Sequence, residues 1–101
     1  MTERDADPVS DGGVLTRTVT IVNRRGLHAR AAARFVKTAE RFKAEITVVR
    51  KDTVVSGLSI MGLMMLAAAP GATLELRASG AEAEAAMEAL TKLVADKFDE
   101  D

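Results

Sequence analysis

Apolar residues recur along this chain with two periods, and the alternation between them outlines a fold. From Leu15 to Val22, Leu15, Val19 and Ile21 stand among threonines, the β-branched composition of a half-buried strand. Asn23-Arg-Arg-Gly26 interrupts the strand as a loop. Ala32, Phe35, Val36 and Ala39 then fall at i, i+3, i+4 and i+7, a single stripe on a helix. Arg30, Arg34, Lys37 and Arg41 occupy its flank and outer face. Glu45 to Arg50 and Thr53 to Ser56 are two β-branched runs joined by Lys51-Asp52, which predicts a hairpin without a glycine to fix its turn.

Ser59 to Leu66 is rich in methionine and leucine and opens with a good N-cap residue, so it predicts a brief helix. Pro70-Gly71 marks a turn, after which Leu74 and Leu76 alternate with Glu75 and Arg77 in a strand from Thr73 to Ala78. Ser79-Gly-Ala-Glu82 has the form of a capping box. Behind it, Ala83, Ala86, Met87, Leu90, Leu93, Val94 and Phe98 make a second helical stripe. The order is β-α-β-β-α-β-α, and its periodicity implies an antiparallel sheet with helices on one face, an α+β two-layer domain. Residues 1–13 are expected to be a tail, 14–98 one domain, and 99–101 a frayed acidic end.

Length changes this picture little: 101 residues hold one domain with one modest core. The absence of cysteine rules out disulfides and thiolate chemistry. The N-terminal residues are polar and acidic, without the apolar stretch of a signal peptide. Ile60 to Ala72 is too short to span a bilayer and is broken by Gly62, Pro70 and Gly71. A soluble, cytoplasmic protein is therefore expected.

Charge matters more. The net charge of −1 conceals a division along the chain. Arg17 to Lys51 contains ten lysines and arginines against Glu40 and Glu45 alone, whereas acids dominate from Glu75 onward. The first half thus suits an anion, an acidic partner or nucleic acid. With phenylalanine as its only aromatic type, present three times, the chain offers few platforms for stacking bases. A phosphate or an acidic partner fits better.

The only histidine, His28, lies between Gly26 and the first periodic helical residues. The opening N–H groups of a helix lack intrahelical partners, and with the aligned peptide dipoles they form an anion site. That positive end favours an uncharged imidazole with a free lone pair, and its field, worth about 0.3–1 kcal/mol, would also hold phosphoryl oxygens. Arg30 can fork onto a phosphate, with Arg24, Arg25 and Arg34 adding attraction at longer range. A lone loop histidine is more commonly a solvated or capping residue, and position alone does not decide between the two. Zinc is excluded for want of a second histidine or a cysteine, and no G-x-S-x-G accompanies it to build a hydrolase triad. No metal or cofactor is expected.

Gly26-Leu-His28-Ala-Arg30, followed by Ala-Ala-Ala-Arg-Phe-Val, resembles the active-site signature of HPr-family phosphocarriers of the bacterial phosphotransferase system. The resemblance implies that His28 accepts phosphate on Nδ1 from phospho-enzyme I and donates it to enzyme IIA domains, with Arg30 stabilising the phosphate. Many members carry proline after that arginine where this chain has Ala31. Proline suits the first turn of a helix, but the chemistry does not require it. The family fold, an open-faced β-sandwich of four antiparallel strands and three helices, agrees with the pattern read from periodicity.

The second motif is Ser59-Ile-Met-Gly-Leu-Met-Met-Leu66. Its plain reading is an N-cap serine followed by core residues. A helix this short cannot bury every methionine and leucine, so some of Ile60, Met61 and Met64 should face solvent, where flexible thioethers suit several partners. The segment is similar to the family's regulatory stretch, at the family's distance from the histidine. This implies Ser59 as the target of an HPr kinase/phosphorylase, and Ala33, Lys37, Ile60, Met61 and Met64 as the docking face. The similarity extends from about Thr16 to Lys97. It implies a relay intermediate that is not itself an enzyme with turnover, acting as a monomer. Two other classes stand beside it: a nucleic-acid-binding module using the basic segment, and a regulatory binder read through the phosphorylation of His28 or Ser59. The downstream acceptor, a sugar permease or a nitrogen-type regulatory branch, is not written in the chain.

Overall fold

The computed structural model describes residues 13–100. The expected tail, Gly13 apart, lies outside the described residues, as does Asp101. Strand β1 covers Leu15–Thr20, and α1 Ala29–Ala39. Strands β2 (Glu45–Arg50) and β3 (Thr53–Ser56) follow, then α2 (Ile60–Met65), β4 (Thr73–Ser79) and α3 (Ala83–Ala95). A last helical turn spans Lys97–Asp99. The strands form one antiparallel sheet in the order β1-β4-β2-β3. The architecture is the expected α+β open-faced sandwich.

Register explains why one face of the sheet is covered. Val19 stands opposite Leu74, Ile46 opposite Ala78 and Val48 opposite Leu76, and all six are buried. The alternate positions pair Thr16 and Thr47 with Arg77, and Thr18 with Glu75, leaving a polar outer face. A one-residue slip would exchange the two sets, so the apolar pattern fixes the pairing. Helix α3 lies over β1 and β4, α1 packs on α3 and α2, and α2 touches β3. Helix α1 buries Ala31, Ala32, Phe35 and Ala39, so small alanines let it approach closely around one large ring. The hairpin forms as expected, and Lys51, in the absence of glycine, itself adopts φ +54°.

Several local expectations are corrected. The first strand ends at Thr20 rather than Val22, although Ile21 still exchanges hydrogen bonds with Ala72 and Gly71. Ser79-Gly-Ala-Glu82 is no capping box: Glu82 is itself the N-cap of α3, and its carboxylate accepts from the Lys43 amide at 2.6 Å. It ties the helix to the α1–β2 loop. Phe98 is fully buried but not by helical periodicity, since α3 stops at Ala95. Lys97, Phe98 and Asp99 instead take φ of +59°, +55° and +62°, a run that folds the ring back under the domain. Left-handed backbone costs about 1–2 kcal/mol per residue. Burying a phenylalanine is worth about as much as three such residues cost. Asp99 and Glu100 are therefore not a frayed end; Glu100 turns back onto the domain.

Two substitutions test this construction by urea denaturation. Phe98→Ala is expected to cost about 3–5 kcal/mol, a core loss from a residue beyond the last helix. Gly26→Ala is expected to cost more than about 1 kcal/mol, because Gly26 has φ +69° and an added Cβ would sit 2.5 Å from the carbonyl oxygen of Ala68.

Candidate functional site

The loop before α1 is assembled from its own polar groups. Asn23 is fully buried, and its Nδ2 donates to the Gly26 carbonyl at 2.7 Å. The Gly26 amide returns to the Asn23 carbonyl at 3.2 Å, and Leu27 N–H reaches Ala68 C=O at 2.9 Å. The left-handed turn at Gly26 then delivers His28 as the N-cap of α1, with extended backbone at φ −81° and ψ −179°. Its side chain does not cap the helix. Ala32 N–H already bonds to His28 C=O, so Ala29, Arg30 and Ala31 are the amides with no helical carbonyl to reach. An acceptor outside the helix can use them.

The imidazole lines a cleft of about 320 Å³ together with Arg24 and Arg25 from the loop, Arg30 and Arg34 from α1, and Asp99 and Glu100 from the chain end. Arg30 is exposed on the first turn. Arg34 does more than attract at a distance: its Nη1 donates to the Phe98 carbonyl at 2.5 Å and anchors the last turn. A larger, more open depression of about 520 Å³ borders the cleft beside Lys37, Thr38 and Leu93. His28 does not line it.

Two residues that the sequence pattern did not single out complete the site. The Glu100 carboxylate lies 2.7 Å from His28 Nε2 through Oε2, and its Oε1 accepts from Asn23 Nδ2 at 2.9 Å. Both side chains of the His28–Glu100 pair are only 17% exposed. The Asn23 amide first, and the His28 ring second, hold the Glu100 carboxyl below the usual carboxylate range. The opposite amide orientation would turn Oδ1 onto two acceptors, so the donor role of Asn23 is set by its surroundings. No metal-binding cluster occurs among the described residues.

Ser59 is the N-cap of α2, and its Oγ accepts from the Gly62 amide at 2.9 Å. Ile60 and Met64 are about two-fifths exposed, and Met61 and Met65 almost three-quarters, while Leu63 and Leu66 are buried. The expected division of this motif holds, with Met65 an addition to the exposed side. Ala33 is half-buried and Lys37 exposed on α1, which packs against α2.

The chain matches the family model described as "PTS HPr component phosphorylation site" over residues 15–96. It belongs to the HPr family. Among family relatives, the phosphocarrier protein HPr of Neisseria meningitidis is 49% identical over 86% of this chain and 98% of its own length. The phosphocarrier protein NPr of Shewanella violacea is 46% identical over 85% of this chain and 94% of its own. The crystal structure of HPr-C-His from Thermoanaerobacter tengcongensis superposes with a TM-score of 0.82 at 41% identity, covering 86% of this chain and 98% of that one. As a phosphocarrier-family protein, the chain is a phosphotransfer intermediate of the phosphotransferase system rather than a catalyst with its own turnover.

The depressed Glu100 carboxyl has a pH consequence. A group whose folded value lies below its unfolded one contributes stability above the ordinary glutamate range. That contribution is lost as pH falls through the lower, folded value. Carbon-13 NMR of the Glu100 carboxyl is expected to show a midpoint below that of an unfolded peptide. Asn23→Ala should move it back up.

Proposed function

We propose that His28 accepts a phosphoryl group on Nδ1 from phospho-enzyme I and passes it to enzyme IIA domains. The observation that carries this reading is the ring at the N-cap of α1. It is released from capping, stands beside the three amides that open the helix, and shares its cleft with four arginines. In the transfer, the Nδ1 lone pair attacks phosphorus as the donor's N–P bond breaks and its electron pair returns to the donor ring. The transferred oxygens are met by the α1 amides and by Arg30, whose fork geometry suits them. The family membership supports the same roles. The basic segment is divided between this cleft and other tasks, such as the bond from Arg50 to Leu66 C=O, which favours a phosphate site over a nucleic-acid groove.

Ser59 is the regulatory position in this proposal, a substrate for an HPr kinase/phosphorylase. Phosphorylation there would add close to two negative charges beside Ile60, Met61 and Met64, repelling an acidic partner surface. Those residues, with Ala33 and Lys37, form the docking face. The protein works as a monomer in the cytoplasm, exposing one face to successive partners.

Phosphoenolpyruvate and enzyme I should place an acid-labile, base-stable phosphate on the wild type and none on His28→Ala. A label that survives that substitution would sink the proposal. Arg30→Ala should slow acceptance about 10- to 100-fold, the loss of one charged hydrogen bond to phosphate. Ser59→Ala should cost about 1 kcal/mol of stability and leave acceptance intact, whereas Ser59→Asp should weaken acceptance from enzyme I.

A further inference from the structure

We infer that Glu100 is a positioning residue for phosphoryl transfer: it fixes the proton of His28 on Nε2 and keeps it there while Nδ1 carries phosphate. The inference rests on the phosphocarrier reading and adds a role for the far end of the chain.

The chemistry follows from which ring nitrogen the carboxylate meets. A carboxylate only accepts hydrogen bonds, so a 2.7 Å approach to Nε2 requires that nitrogen to bear the hydrogen. In the neutral imidazole the lone pair is then on Nδ1. The ring is thus held in the tautomer whose nucleophilic atom is the one that must attack. When Nδ1 bonds to phosphorus, the ring gains positive charge, and the proton remains on Nε2 against Glu100. No proton has to leave in the transfer. On donation to the next acceptor, the Nδ1–P bond breaks and its electron pair returns to a ring already carrying its Nε2 proton. A phosphoimidazole that keeps this proton is the better leaving group, so the same contact serves both arrival and departure.

The carboxylate is itself positioned. Asn23 holds its second oxygen at 2.9 Å, the bond from Arg34 to Phe98 C=O fixes the preceding turn, and the buried Phe98 ring pins that turn to the core. The charged groups facing the ring are Arg24 and Arg25 from the loop, Arg30 and Arg34 from α1, and Asp99 and Glu100 from the end. Of the two acids, Glu100 makes the bond to the ring. The arginines line the same cleft, and the carboxylate meets the nitrogen that the phosphate does not use.

The test uses nitrogen-15 NMR of the His28 ring in the full-length chain. Unphosphorylated wild type is expected to show the Nε2–H tautomer in its neutral form, and Glu100→Ala a mixture of both. After phosphorylation by enzyme I, the titration midpoint of Nε2 in phospho-His28 should fall by about one unit in Glu100→Ala, the effect of losing one adjacent charge. Glu100→Asp should restore part of that shift, and Glu100→Gln, which keeps a hydrogen-bonding side chain but not the charge, should not. A wild-type ring with its hydrogen on Nδ1, or a midpoint unmoved by Glu100→Ala, overturns the inference while leaving the carrier reading untouched. A wild type that shows the Nε2–H tautomer but takes no label fails the carrier reading, and the relay role of Glu100 with it.

Discussion

The close approach of Gly26 to the Ala68 carbonyl binds together the two parts of this molecule that matter most. The backbone of the loop before His28 rests there on the segment leading from α2 to β4, with no room for a side chain between them. Leu27 seals the contact with a hydrogen bond to the same oxygen. Because α1 begins two residues later, its N-terminus is set by a contact with the connection after α2 rather than by the sheet alone. The histidine-bearing helix and the methionine-bearing helix are therefore joined through one packed arrangement.

Charge at the site is balanced rather than uniformly positive. Four arginines and the end of a helix would attract any anion, including a neighbour's carboxylate. The chain supplies its own carboxylate, Glu100, but confines it to the Nε2 side through Asn23. An anion drawn into the cleft thus finds the amides of the first turn available, because the internal acid is held elsewhere.

Much of this was readable from the sequence, for identifiable reasons. Strand and helix order followed from apolar periods, since burial on one face of a sheet or helix is a local pattern. His28 and Arg30 were legible because a glycine, a histidine and a helical stripe are adjacent in the chain. The exposure of Met61 and Met64 could be anticipated from the shortness of α2. What periodicity could not show was the return of the chain end. Glu100 lies 72 positions from His28, in a stretch whose acidity suggests solvation. The one available signal was Phe98, an aromatic residue among charges, and it was assigned to the helix because its spacing happens to fit. Glu82 misled in a similar way: a residue three places after a serine matched a local motif, but its carboxylate satisfied an amide in another loop. Local rules describe local bonds, and these two acids make distant ones.

The left-handed run from Lys97 to Asp99 brings Asp99 and Glu100 to the wall of the cleft that holds the imidazole. One short stretch thus carries both a core anchor, Phe98, and the carboxylate partner of the ring, Glu100. A disturbance of the anchor would therefore be felt at the imidazole, because the same turn holds both.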